Sequence, residues 1–325
     1  MGHAPGHAMT TIATRSASTS ADRRAGAPTI GLALGGGGAR GLAHLLVLEA
    51  FDELGLKPAA IAGTSIGAVF GAAYASGLTA AEIRAETEDA LTARFSLLRD
   101  LFAARAPRLT QVWNLFTVRS ALLDPAALLE MILPERIADD FAGLEIPLSV
   151  VATDFYNQEP VVLSSGPLRP AVAASMALPA IFQPVIHEGR ALIDGGLVNP
   201  LPYDLLTGTT DIVVAVDVSG APTPAKDRSH PTATEALLAS PFIFERTIIR
   251  EKLKSQQPDI YVEGGTSRFL VLDFLRFGEI LAAAAPAKDR LKAQLERVLG
   301  AQTLDVLEAP PAREALPPPE APRRR

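Results

Sequence analysis

Short apolar runs alternate with segments of helical period along this chain. Thr29-Ile30-Gly31-Leu32-Ala33-Leu34 is an apolar run of strand length that opens onto four consecutive glycines, Gly35 to Gly38. Residues 42–54 then repeat apolar positions at helical spacing, so the opening reads strand, glycine loop, helix. Residues 57–62 predict a second, buried strand, and the Ala-rich run 68–75 a tightly packed helix. Thr79-Ala80-Ala81-Glu82 has the form of a capping box, and Asp124-Pro125 places a cap before a proline at a first helical position. Two strands are expected at 146–152 and 160–163, joined by a polar turn around Tyr156-Asn157-Gln158. Residues 168–178 read as a helix of small residues, and 190–193 as a strand leading into Asp194-Gly195-Gly196. Residues 211–218 form the clearest buried strand. A polar loop over 219–233 follows, then a helix over 235–255 and one or two more over 273–299, with Pro286 as the break. Strands alternating with helices predict a layered α/β fold.

Composition changes this picture mainly at the ends. Residues 1–28 lack apolar periodicity and 309–325 are rich in proline, so both are expected to be disordered tails. The remaining core, 48% hydrophobic across the whole chain of 325 residues, is compatible with one α/β domain. No stretch approaches a membrane span, and the N-terminus lacks the apolar core of a secretory signal. Arg15, Arg23 and Arg24 against the lone acid Asp22 leave an organellar transit peptide as the alternative to the default, a cytoplasmic location. Zero cysteines exclude disulfides and thiol chemistry, and a net charge of -6 argues against a dedicated nucleic-acid binder. Residues 93–119 differ from the rest. Five arginines face the single acid Asp100 there, interleaved with aliphatic and aromatic residues that include Trp113. Such a stretch suits transient membrane-surface contact or a lid, or simply a helical flank with its arginines in solvent.

Three motifs carry candidate chemistry. Gly63-Thr64-Ser65-Ile66-Gly67 has the form of a nucleophile elbow between a strand and a helix. The serine would stand at a helix N-terminus, where free N–H groups favour a developing negative charge. Gly36-x-Gly38-x-x-Gly41 matches a dinucleotide fingerprint, but no acidic residue lies between Lys57 and Ser76 to hold a ribose. The loop is better suited to offering backbone donors to an oxyanion. A serine nucleophile needs a base. Of five histidines, His3 and His7 lie in the tail, His44 in the first helix and His187 in a turn. Ser65, Asp194 and His230 follow the chain order of a hydrolase triad, yet His230 sits in a polar segment poorly placed to fix a base. The other route is a dyad in which Asp194 takes the serine proton directly. An aspartate can do so if burial raises its proton affinity. No metal-ligand spacing is present.

Taken in order, the glycine loop, the Ser65 elbow and Asp194-Gly195-Gly196 resemble the patatin-like phospholipase family. The likeness extends through Ala152-Thr153-Asp154-Phe155 and Ala173-Ala174-Ser175-Met176-Ala177-Leu178-Pro179, and covers about residues 29–208. It implies a three-layer α/β/α sandwich with a mainly parallel sheet, the segment 209–308 completing the same domain. It further implies Ser65 as nucleophile, Asp194 as base, and the backbone of Gly36, Gly37 and Gly38 with Arg40 beside it as oxyanion hole. Gly41, Gly63, Gly67, Gly195 and Gly196 would be the motif glycines. The implied activity is hydrolysis of lipid acyl esters through an acyl-enzyme, with neither metal nor other cofactor. Leu45-Leu46-Val47 departs from many relatives, which carry a glycine at the middle position. A catalytically silent lipid-binding module on the same fold is the rival of another class.

Overall fold

The apolar runs become the strands of one sheet. A computed structural model describes residues 27–93, 123–134, 136–221 and 230–308. Its strands are β1 (Ile30–Leu34), β2 (Ala60–Thr64), β3 (Leu148–Asp154), β4 (Glu159–Leu163), β5 (Val185–His187), β6 (Arg190–Asp194), β7 (Ile212–Asp217) and β8 (Ile260–Glu263). The helices are α1 (Ala43–Glu53), α2 (Ile66–Ala75), α3 (Ala80–Ala93), α4 (Pro125–Ile132), α5 (Leu168–Ser175), α6 (Ala233–Ser255) and α7 (Phe277–Glu308). The sheet runs β5-β6-β3-β2-β1-β7-β8, with β4 paired to β3. Pairing is parallel from β3 through β2, β1 and β7 to β8, and antiparallel where β4, β5 and β6 join.

Each face of the sheet is covered, which is why β7 is buried at all six positions. Leu32, Leu34, Val214 and Val216 face a core shared with α1, α2, α5 and α7. The alternate residues Ala33, Val213 and Ala215 face a smaller cluster closed by Ile249 of α6. Helices above, sheet between and helix below make the three layers of an α/β/α sandwich. Residues Pro28–Leu299 form one compact unit.

Three of these elements differ from the sequence expectations: β8 (Ile260–Glu263), where none is placed, β5 and α7. Val185-Ile186-His187 is a short strand hairpinned to β6 through Glu188 and Gly189, both at positive φ, the pairing of conformations that a two-residue turn demands. Pro286 does not break the last helix; α7 continues through it. The residue four positions earlier, Ala282, is exposed, as is Pro286 itself, so the carbonyl freed by the missing N–H reaches solvent. The buried stripe Ile280, Ala284, Ala287, Leu291 and Leu295 runs along the other side of the helix and anchors it. The expectations for 1–26, 94–119 and 309–325 lie outside the described residues.

One topological detail positions the site. Val150 of β3 pairs with Leu163 on one edge and Gly63 on the other, and Ala152 pairs with Val161 on the first edge and Asp194 on the second. So β2 and β6 occupy the same edge of β3 in succession. β2 ends at Thr64 opposite Val151, and antiparallel β6 ends at Asp194 opposite Ala152. The C-terminal ends of the two strands therefore meet head-on.

Candidate active site

Ser65 occupies the turn between β2 and α2 with φ 54 and ψ -122, a conformation that a side-chain-bearing residue adopts only when its surroundings impose it. The imposition comes from packing. A Cβ on Gly67 would lie 2.1 Å from the carbonyl oxygen of Leu34, so only glycine lets α2 start against the end of β1. The Ser65 N–H is held by the Ser175 hydroxyl at 2.8 Å, and that hydroxyl in turn donates to the Val151 carbonyl at 2.6 Å. The Thr64 hydroxyl donates to the Asn199 carbonyl at 2.8 Å. The elbow is thus tied on both sides.

The head-on strands bring the two side chains together. Ser65 Oγ donates to Asp194 Oδ2 at 2.7 Å, although 129 positions separate them in the chain. Asp194 Oδ1 accepts the Gly196 N–H at 2.8 Å, and the Asp194 carbonyl accepts the Thr153 hydroxyl at 2.7 Å. A Cβ on Gly195 would stand 2.1 Å from the Val151 carbonyl oxygen, so glycine alone allows this turn to close onto β3. Asp194 is 2% exposed. Burial pushes its carboxyl up to about 6, against the hydrogen bonds from Ser65 and Gly196, which favour the carboxylate.

The glycine loop follows β1. The Gly36 N–H donates to the Pro200 carbonyl at 2.9 Å. Gly37 and Gly38 line the same cavity as Ser65, and among the described residues their N–H groups have no partner. Gly38 has φ +58, in the left-handed region that glycine fills without strain. Arg40 is buried, but its guanidinium turns to the Phe269 carbonyl, to which Nε donates at 2.7 Å, and lies over the Phe242 ring. It does not line the cavity. Gly41 sits in the short 3-10 turn Gly38–Leu42, and Gly63 is the penultimate residue of β2.

His44 is fully buried in α1 and contacts the Gly35 carbonyl through Nε2 at 2.9 Å. A carbonyl only accepts, so Nε2 carries the proton. Burial pulls the ring down to about 4, which keeps it neutral. It braces the glycine loop. His230 is exposed just before α6, while both carboxyl oxygens of Asp194 are engaged by Ser65 and Gly196. Among the described residues, no group of three or more His, Asp or Glu is arranged to hold a metal ion.

Ser65 and Asp194 open into a cavity of about 360 Å³ whose walls are mostly apolar, built from residues such as Val69, Phe70, Leu128, Ile132 and Phe182. Its scale fits a small-molecule site. Among the described residues, Asp194 and one other carboxyl residue line it: Glu245 of α6, which is 3% exposed. No sequence motif singles out Glu245. A signal was present, since Phe242, Glu245 and Ile249 form one buried stripe of α6, and an acid on such a stripe is out of place without a role.

The family model for patatin-like phospholipases matches residues 32–207, more than half of the chain. The chain belongs to the patatin-like phospholipase family. Among the family's members, an uncharacterised NTE family protein of Mycobacterium bovis is 37% identical over 224 residues, 65% of this chain and 55% of that protein. Patatin-like phospholipase domain-containing protein 6 of Homo sapiens is 32% identical over 193 residues, 58% of this chain and 13% of that one. The chain therefore spans about half, or much less, of the length of the curated relatives it matches. Of solved structures, VipD from Legionella pneumophila is similar at a TM-score of 0.41 and 14% identity, over 81% of this chain and 67% of that one. Among the described residues of this patatin-like protein, no helix is long and apolar enough to cross a membrane.

Proposed function

We propose that this protein is a lipid acyl hydrolase that cleaves acyl esters of phospholipids or lysophospholipids through a Ser65–Asp194 dyad. The observation that carries the reading is the 2.7 Å hydrogen bond from the Ser65 hydroxyl to Asp194 at the wall of an apolar cavity. Ser65 Oγ attacks the ester carbonyl while Asp194 accepts the serine proton. The oxyanion is held by the unpartnered amides of Gly37 and Gly38 and by the N-terminus of α2. Asp194 passes the proton to the departing alcohol and leaves an acyl-serine. Water then attacks, its proton goes to Asp194, and the collapse of the second tetrahedral species returns that proton to Ser65 as the fatty acid departs. A proton affinity near 6 makes Asp194 a stronger base than an exposed aspartate while leaving it ionised at neutral pH. The apolar walls suit an acyl chain, and contact with a lipid surface is part of the proposal.

Ser65→Ala should abolish both hydrolysis of a p-nitrophenyl acyl ester and labelling by a fluorophosphonate probe. Wild-type protein that folds yet takes no label at Ser65 would favour the silent lipid-binding module instead. Product analysis on a mixed phospholipid and lysophospholipid panel then identifies the ester cleaved.

A further inference from the structure

Glu245 has no use in the dyad mechanism, yet it reaches the same cavity. It projects from the middle of α6 onto the turn that follows Asp194, where its Oε1 lies so near Gly196 that a Cβ there would approach to 2.5 Å. Among the described residues its Oε2 is buried without a hydrogen-bond partner. A buried, unpaired carboxylate oxygen is among the costliest arrangements a protein can hold, whereas a neutral carboxyl at a cavity wall sheds the charge and carries one O–H.

The groups around it decide between the two forms. Asp194 of β6 and Asp217 at the end of β7 bring negative charge toward it, and Arg40 brings the opposing positive charge. Arg40 does not neutralise it by contact: its Nε is committed to Phe269, and among the described residues its Nη1 is itself unpartnered. Asp273 also draws on the Arg40 charge. Burial is the largest influence and, with Asp194, holds the Glu245 carboxyl well above the ordinary range of a glutamate.

We propose that Glu245 is a third functional side chain of the catalytic pocket: it stands there as the uncharged acid, presents its free O–H to an oxygen of the bound ester, and ceases to do so when it ionises. The inference rests on the hydrolase reading above and adds a substrate contact to it. Ionisation of Glu245 would replace a donor by an acceptor and set a second negative charge beside Asp194 and the developing oxyanion. Activity therefore has two limits. The rising limb follows ionisation of Asp194 near pH 6, and a falling limb at higher pH follows loss of the Glu245 proton.

Glu245→Gln and Glu245→Leu test this against wild type, with kcat and KM followed across pH. The amide of Gln supplies an N–H at the same place and cannot ionise. Glu245→Gln should lose the falling limb while keeping the rising limb, and at pH 7 its kcat/KM should drop by no more than about threefold. Glu245→Leu removes the donor and should lower kcat/KM about 5- to 10-fold, the value of one neutral hydrogen bond. A purely structural role would give Gln and Leu the same loss and leave the falling limb in both. A falling limb that persists in Glu245→Gln overturns the proposal. So does a fully active Glu245→Leu. If Leu prevents folding, the Gln variant alone decides through its pH profile. An independent readout needs no turnover: infrared difference spectra at pH 7 between wild type and Glu245→Gln should contain the carbonyl stretch of a protonated carboxyl. Its absence would overturn the proposal even if hydrolysis is intact. Its presence in a protein that hydrolyses nothing would sink the hydrolase reading and leave the uncharged acid standing.

Discussion

Asp194 should destabilise the fold that it makes active. Burial raises its carboxyl from 3.8 to about 6, a difference of roughly two units. At 1.36 kcal/mol per unit, the ionised folded state carries about 3 kcal/mol of cost relative to the ionised unfolded chain. The sign follows from the direction of the shift. Below pH 3.8 both states bind the proton and there is no cost. Between 3.8 and about 6 the unfolded chain releases the proton while the folded protein keeps it, so stability falls as pH rises. Above about 6 the cost is complete and constant. Asp194→Asn removes the charge while leaving an oxygen and an amide to exchange hydrogen bonds with Ser65 and Gly196. The variant should therefore be more stable than wild type by about 2–3 kcal/mol at pH 7–8, roughly 5 °C in Tm for a domain of this size, and equal to it near pH 4. Turnover should be lost, since the amide accepts no proton. Urea unfolding of both proteins at unit steps from pH 4 to 8 measures the difference. Parallel curves with no widening between pH 4 and 6 would refute the argument, because they would mean that the Asp194 carboxyl titrates in the folded protein as it does in an unfolded chain.

Two further outcomes test the scaffold. Ser175→Ala strips the Ser65 N–H and the Val151 carbonyl of their shared partner, and should cost about 1–3 kcal/mol in urea unfolding. It should lower kcat far more than it raises KM, because it displaces the nucleophile and leaves the cavity wall alone; a kcat within twofold of wild type would show that the elbow holds itself. Lys252 of α6 donates to Asn199 Oδ1 at 2.7 Å and to the Leu201 carbonyl at 2.8 Å, and pairs with Asp204. Lys252→Met should lower the urea midpoint by the equivalent of about 2 kcal/mol with an unchanged slope, and a midpoint equal to wild type would contradict this.

The local parts of the site were legible because local steric rules write them. A strained serine between strand and helix needs small neighbours, and Gly63 and Gly67 announce them. A loop that must expose amides needs glycines, and Gly36 to Gly38 supply them, although the Gly36 amide is engaged by Pro200. What no local rule writes is that β2 and β6 share one edge of β3. Nothing in 190–196 alone says which strand end Asp194 will face; the need of a serine for a base makes a dyad with Ser65 one of two routes, and likeness to a family chooses between them. The hairpin strand β5 was missed for a related reason: three residues with one exposed to solvent give no period to read.

Glu245 is hidden in the sequence for a different reason. A search for chemistry that starts from motifs looks at loops and strand ends, where glycines and turns mark the chain. Glu245 lies mid-helix, where glutamate is an ordinary helix former and draws no notice. Its meaning comes from the face it shares. Phe242 and Ile249 are buried one turn before and one after, so Glu245 occupies a core position on a helix that packs beneath the sheet. A carboxyl placed there must be paired, protonated or in contact with a ligand. The helical period that located α6 thus also pointed to the residue that reaches into the cavity, once the polar member of its apolar stripe is treated as a signal in its own right.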